Sequence, residues 1–249
     1  MDILWYIIIF IFGSIFGSFY NVLIYRIPRG MSIVSPPSHC GACGKPIKWY
    51  DNIPILSYIW LRGRCRHCGS KISIRYPLVE AFSGLLLVVC FLRFEKPFMA
   101  VLFFVFFSML LVASLIDWDT FTLPDSLTIG GFLLGLLSSF FRQDLGVKES
   151  LISALVGGGS FLLIYLYYTK VRGIEGLGFG DVKLMAFIGS AFGIWGVLYA
   201  VFLGSLFGLL YALPLIIKNR TMQFALPYGP FLSLGVFVGT LLNLKDFIL

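Results

Sequence analysis

Charge is what this sequence has least of. Only 12% of its 249 residues are Asp, Glu, Lys or Arg, while 59% are hydrophobic; a soluble domain carries about a quarter charged residues. That shortage excludes a soluble core of this length and requires the apolar runs to face lipid. The net charge of +7 then reports a bias among loops, not nucleic-acid binding. The opening run ILWYIIIFIFGSIFGSFYNVLIY lacks a basic leading segment and a small-residue cleavage site. It is too long for the apolar part of a signal peptide and is expected to be a retained helix. No GxGxxG follows a strand, so no dinucleotide-type cradle is expected. No convincing internal repeat is visible, which weighs against a transporter built from repeated halves.

What the chain does have is a series of apolar runs near the ~20 residues that span a bilayer. They fall at 3–25, 78–94, 98–116, 126–142, 151–169, 182–194, 196–217 and 229–248. The expectation is an all-α polytopic membrane protein of about eight transmembrane helices, with both termini on one side. Its organisation reads as a first transmembrane helix (1–25), a cytoplasmic zinc-binding loop domain (26–77) and a seven-helix membrane catalytic core (78–249). Lysine and arginine set the orientation. The 26–77 loop holds Arg26, Arg29, Lys45, Lys48, Arg62, Arg64, Arg66, Lys71 and Arg75, and same-side loops add Lys170, Arg172, Lys183, Lys218 and Arg220. The other face holds only Arg93, Lys96, Arg142, Lys148 and Lys245. The richer face is cytoplasmic by the positive-inside rule, which puts both termini outside. Asp117, Asp119, Asp125 and Asp181 then gather with the loop at the cytoplasmic surface.

The loop contains CGAC (Cys40, Cys43) and CRHC (Cys65, Cys68), with 21 residues between the pairs. Two such knuckles supply four thiolates to one tetrahedral zinc, and Gly41, Gly44 and Gly69 permit the tight turns. A loop this small has little core, so the metal provides much of its folding free energy. Paired disulfides suit a reducing cytoplasm poorly, and a redox CxxC lacks its fold context. Four thiolates close the site, so the zinc is structural and His67 stays at the surface. Cys90, inside the second span, reads as a packing residue.

An ionisable group at membrane depth points by default to function. Two adjacent carboxyls sharing a proton can hydrolyse a peptide, one taking a proton from water while the other polarises the carbonyl. Asp125 follows Pro124 and precedes an apolar run, so it reads as a helix N-cap. Asp119 sits about 200° round a helix from Asp117, so only one of the two faces the interior, and Asp117 lies nearer the apolar run. Asp181, in GLGFGD, is either an N-cap or the second carboxylate. Gly176, Gly178 and Gly180 favour the second reading, because a strip without side chains lets an extended substrate approach.

These residues resemble the type IV prepilin peptidases (prepilin leader peptidase/N-methyltransferases), membrane aspartyl proteases of the GxGD type. The resemblance runs through GSFYNVLIYRIP (17–28), both CxxC pairs, NIPILSYIWLRGRCRHCGSKISIRYPLVE (52–80), IDWDTFTLPD (116–125) and GIEGLGFGDVKL (173–184). It implies Asp117 and Asp181 as the catalytic pair and Cys40, Cys43, Cys65 and Cys68 as zinc ligands. It further implies cleavage of a short basic leader from type IV prepilins or pseudopilins at the cytoplasmic face of the inner membrane. Methylation of the new N-terminus with S-adenosylmethionine follows in many members. Gly178, Gly180 and Lys183 are candidate substrate contacts, although Lys183 and Glu175 read first as interfacial charges. Glu80 reads first as a helix cap and second as a group that could orient an amine. Gly157, Gly158 and Gly159 read as helix-packing positions. A different class remains open at this point: a transporter or assembly scaffold whose zinc loop docks a cytoplasmic partner.

Overall fold

The computed structural model describes residues 3–174, 176–219 and 225–242. Glu175, Arg220 and Lys245, and the end of the last expected span, lie outside the described residues. Within them the chain is helical, and the only β pairing consists of two isolated bridges. The helices are α1 (Ile3–Arg26), α2 (Leu56–Trp60), α3 (Arg75–Arg93), α4 (Pro97–Thr120), α5 (Asp125–Ser138), α6 (Val147–Leu166), α7 (Phe179–Asn219) and α8 (Gly229–Leu241). Among the described residues, five helical segments are long and apolar enough to cross a membrane: Ile3–Arg29, Arg75–Arg93, Pro97–Thr120, Val147–Arg172 and Phe179–Lys218. The shorter α5 and α8 are apolar too. Outward-facing Ile7, Ile8, Ile11, Phe12 and Ile15 on α1 are exposed, as lipid-facing side chains would be. The polytopic all-α expectation holds.

One element differs from the sequence reading in detail, and another is joined more directly than the reading shows. The third span does not end at 116: α4 continues to Thr120, so Asp117 and Asp119 stand on its last turn. The two runs expected at 182–194 and 196–217 are two helices that meet within α7 at Gly193, whose φ of 68° and ψ of −167° are non-helical; a Cβ on Gly157 would lie 2.7 Å from Met185 O and 3.0 Å from Val197 Cγ2, so the chain turns back there and the two-run reading stands. A break of this kind strips intrahelical donors from the preceding carbonyls. Ser150 Oγ donates to Ser190 O at 2.8 Å and the Arg142 guanidinium donates to Ala191 O at 2.5 Å. Buried Arg142 is itself forked onto Asp144, at 2.7 and 3.1 Å.

The chain divides into two compact units, 1–108 and 109–249. In the first, α1 lies against α3 through small residues. A Cβ on Gly13 would sit 2.8 Å from Ser83 O, and one on Gly17 would sit 2.6 Å from Glu80 Cα. Ser83 Oγ donates to Gly13 O at 2.8 Å. Without a hydrophobic force between helices in lipid, such close approach supplies the dispersion contacts that hold them. Cys90 is fully buried on α3, as a packing residue should be. In the second unit α6 meets α7 in the same way: a Cβ on Gly157 would meet Met185 O at 2.7 Å and one on Gly158 the Ala186 Cβ at 2.9 Å. Gly159 has open space beside it, so the packing role belongs to the first two glycines only.

Candidate active site and metal centre

Asp117 and Asp181 come together in the second unit. Asp117 stands on the last turn of α4 and is 5% exposed, while Asp119, turned about the helix axis, is exposed. Asp181 lies in the first turn of α7 and is 8% exposed. The two carboxylates are close enough for their charges to act on one another. Leu123, in the link between α4 and α5, packs beside both: it lies 2.9 Å from where a Gly180 Cβ would stand and 3.3 Å from a Gly229 Cβ.

Each carboxylate meets a helix start. The backbone N–H of Gly229, first residue of α8, donates to Asp117 Oδ2 at 3.1 Å. Asp117 thereby satisfies one of the donors that a helix N-terminus leaves orphaned, where the helix dipole also favours an anion. Asp181 accepts the N–H of Gly178. Its other oxygen, Oδ1, is buried and has no hydrogen-bond partner among the described residues. A buried carboxylate oxygen left unpaired is costly. Gly229 is the participant that the sequence reading missed. Its signal was the PYGP run at 227–230, where Pro at the second helical position marks a helix start.

The other expected site residues fall out as follows. Gly176 is packed on the Tyr168 ring, where a Cβ would lie 2.7 Å away, and Gly180 is filled by Leu123. Only Gly178 borders the carboxylate, with a Cβ position 3.3 Å from Asp181 Oδ2. The glycines thus make a close-packed entry to α7 more than an open strip. Lys183 is ion-paired with Asp125 and lies over the Phe179 ring, 5.4 Å from its centroid. Asp125 is the first residue of α5, behind Pro124 at the cap position. The N-cap reading of Asp125 therefore gives way to an ion pair from the first turn, where its charge still suits the dipole. Glu80 is not a cap either. It lies a turn inside α3, whose N-cap is Ile74, and its Oε2 accepts the N–H of Ile55 at 2.7 Å.

In the first unit the cysteines converge. The sulfur atoms of Cys40, Cys43, Cys65 and Cys68 all lie within 4.8 Å of one another. The Cys40 and Cys68 sulfurs are 3.8 Å apart, the edge expected of a tetrahedron with metal–sulfur bonds of about 2.3 Å. Two like-built hairpins bring them there. Cys40 N donates to Lys45 O and Gly44 N to Cys40 O; Cys65 N donates to Ser70 O and Gly69 N to Cys65 O. Isolated bridges close both, His39 with Pro46 and Arg64 with Lys71. Gly44 and Gly69 take φ of 68° and 71°, the left-handed turn that glycine adopts without penalty. The Ser70 hydroxyl lies 3.1 Å from Cys68 Sγ and 3.6 Å from Cys40 Sγ. It holds both thiols below their ordinary value, Cys40 at about 6, while Cys43, despite a lowering backbone hydrogen bond from Lys45, is pushed up to about 11 by desolvation and the neighbouring thiols. The donor set and its spacing fit a tetrahedral metal ion. His67 is exposed. Arg66 forks onto Asp51 at 2.6 and 2.8 Å, tying the second knuckle to the Trp49–Asn52 turn, and holds the Asp51 carboxyl below the usual carboxylate range.

The chain is similar to known proteins over most of its length. Residues 11–94 match the Bacterial Peptidase A24 N-terminal domain and residues 104–213 the Type IV leader peptidase family. A Pseudomonas putida protein named prepilin leader peptidase/N-methyltransferase is 35% identical over 93% of this chain and 88% of its own length. The chain belongs to the type IV leader peptidase family. A Dichelobacter nodosus protein of the same name is 31% identical over 90% of this chain and 87% of its own. A Myxococcus xanthus protein, also so named, is 42% identical over 79% of this chain but 58% of its own length. No solved structure matches. With its apolar helices, this member of the family is a multi-pass inner-membrane peptidase.

Proposed function

We propose that the chain cleaves the short basic leader from type IV prepilins or pseudopilins, with Asp117 and Asp181 as its catalytic pair, and methylates the new N-terminus. The observation that carries the peptidase assignment is the buried pair itself: two carboxylates within electrostatic reach, one with an oxygen that no donor among the described residues satisfies. A single proton shared by the pair suits hydrolysis. The ionised carboxyl accepts a proton from water as the oxygen attacks the scissile carbonyl. The protonated one donates to the carbonyl oxygen. Collapse of the tetrahedral intermediate breaks the C–N bond, and the proton taken from water leaves on the amine. The Gly229 N–H holds Asp117 fixed through this cycle, so little reorganisation accompanies the step. Gly178 borders the reacting carboxylate and is the substrate contact the geometry favours; Lys183, engaged by Asp125, positions the mouth of α7 and α5.

The metal is zinc in this reading, held by Cys40, Cys43, Cys65 and Cys68. It supplies the folding free energy of a segment with almost no core. The basic loop and the aspartates face the cytoplasm, both termini face outward, and the leader, too basic to cross, presents its bond at the cytoplasmic boundary. S-adenosylmethionine is the methyl donor implied for the second activity.

Purified protein in detergent, incubated with a prepilin and resolved on a gel, tests the assignment. Asp117→Asn and Asp181→Asn are each expected to abolish the shortened product while metal content and thermal unfolding stay at wild-type values. Cleavage by both variants at the wild-type rate removes the pair from the mechanism.

A further inference from the structure

The chain between α1 and α3 carries an apolar surface that neither the metal nor the peptidase chemistry uses. On α2, Leu56, Ile59 and Trp60 are 62%, 64% and 82% exposed. Spacings of three and four residues put them on one face of the helix. The opposite face, Ser57, Tyr58 and Leu61, is half-buried, and the Tyr58 ring packs on Gly63, where a Cβ would lie 2.9 Å away. The helix thus turns its most apolar side chains outward, the reverse of a helix on a water-facing surface. Trp49, in the turn ahead of it, is exposed as well. Single apolar side chains on a surface are ordinary, but a whole helix face of them marks a contact.

Its height says what makes that contact. Ile55, at the N-cap of α2, donates its N–H to Glu80 Oε2 at 2.7 Å. Glu80 lies five residues inside α3, about 7 Å from the start of that helix at ~1.5 Å per residue. From the other side α1 abuts it at Gly17, where a Cβ would sit 2.6 Å from Glu80 Cα. Both α1 and α3 are long and apolar enough to cross a membrane. The start of α2 is therefore fastened beside their terminal turns, where headgroups give way to acyl chains. The fastening is firm: β-branched Ile55 takes φ of 63°, a conformation that persists only where its surroundings impose it. Ile74 and Leu78, at the start of α3, are exposed near the same level. Tryptophan concentrates at this boundary. Exposed Lys48 and Arg62, ahead of Trp49 and just after α2, suit the phosphates of a negatively charged leaflet.

We propose that the outer face of α2 inserts into the headgroup–acyl boundary of the cytoplasmic leaflet, fastening the metal-binding loop to lipid at a third point besides the two spans. The choice of leaflet rests on the orientation proposed above; the contact with lipid does not.

Full-length protein in vesicles of phosphatidylethanolamine and phosphatidylglycerol tests this, with acyl chains brominated near the headgroup in a parallel sample and iodide on both sides of the membrane in another. The emission of Trp60 is the difference between wild type and Trp60→Phe. It is expected to fall ~2-fold or more in the brominated vesicles and to be little affected by iodide, as for a side chain at the boundary. Ile59→Glu, which places a charge on the same face, is expected to reverse that pattern while metal content stays at the wild-type value. Leu56→Glu is read in the same way, and metal content identifies the variant that is folded. Trp60 open to iodide and untouched by bromine places the face in water and overturns the proposal. Trp60 shielded from both places protein over it, such as a second copy of this chain, and overturns it as well. Unchanged bromine quenching in a folded charged variant shows that the α2 face does not make the contact. If cysteine labelling inverts the orientation while bromine quenching persists, the assigned sidedness fails and the lipid contact stands.

Discussion

Gly229 has no side chain, and Asp117 requires that. A Cβ there would stand 2.8 Å from Asp117 Oδ2 and 3.5 Å from its Cγ, while the Gly229 N–H must still reach the same oxygen. Gly229→Ala is therefore expected to push the carboxylate out of line and slow leader cleavage by ~10–100-fold, as small displacements of a reacting group do. Gly159→Ala serves as its control. The space beside Gly159 is open, so cleavage should be unchanged and stability should rise by about 1 kcal/mol or less from helix propensity. Rates from gel densitometry on the two variants separate the claims. If Gly229→Ala cleaves like wild type, the contact is not needed for the reaction.

Elements in this protein are held at points where regular structure stops. The bend at Gly193 leaves Ser190 and Ala191 carbonyls to Ser150 and Arg142. Arg142→Leu takes the buried guanidinium away from Ala191 O. It should cost about 1–3 kcal/mol, the penalty of stranding a buried polar group, and should appear as a lower midpoint in thermal unfolding. The knuckles stop in a different way, at a metal. Cys40→Ser with Cys43→Ser is expected to remove the metal, measured as about one zinc per wild-type chain and none in the double variant. Limited proteolysis should then cut within 26–77. The Asp51–Arg66 fork adds a pH dependence of known sign. Its carboxyl is held low in the folded loop, so its stabilisation is present above the ordinary aspartate value of about 3.9 and is lost as pH falls through the lowered one. Asp51→Asn should abolish that component in a proteolysis-against-pH series.

For the molecule as a whole, the distribution of lysine and arginine predicts an orientation that labelling can check. Val34 in the cysteine loop and Lys148 at the start of α6 are both exposed. A membrane-impermeant maleimide should reach a cysteine at 148 in intact cells, and one at 34 only after permeabilisation. The reverse pattern inverts the topology and, with it, the side on which the leader is cut. The large exposed apolar surfaces of α1, α6 and α7 make the folded chain dependent on lipid or detergent, since patches of that size aggregate in water.

Composition and periodicity alone determined that the chain crosses a membrane, where its helices fall, that four cysteines make a tetrahedral set, and that Asp117 rather than Asp119 faces inward. Each of these follows from local chemistry: apolar length, thiol spacing, the angle per residue of a helix. The tertiary structure decided what depends on partners distant in sequence. Gly229 supplies Asp117 with its donor from 112 residues away, and Lys183 is claimed by Asp125 across 58. Glu80 serves a loop residue, not its own helix end. Spacing carries no information on such pairings, because they are fixed by which helix surfaces can approach closely, and that is set by the packing of all of them at once.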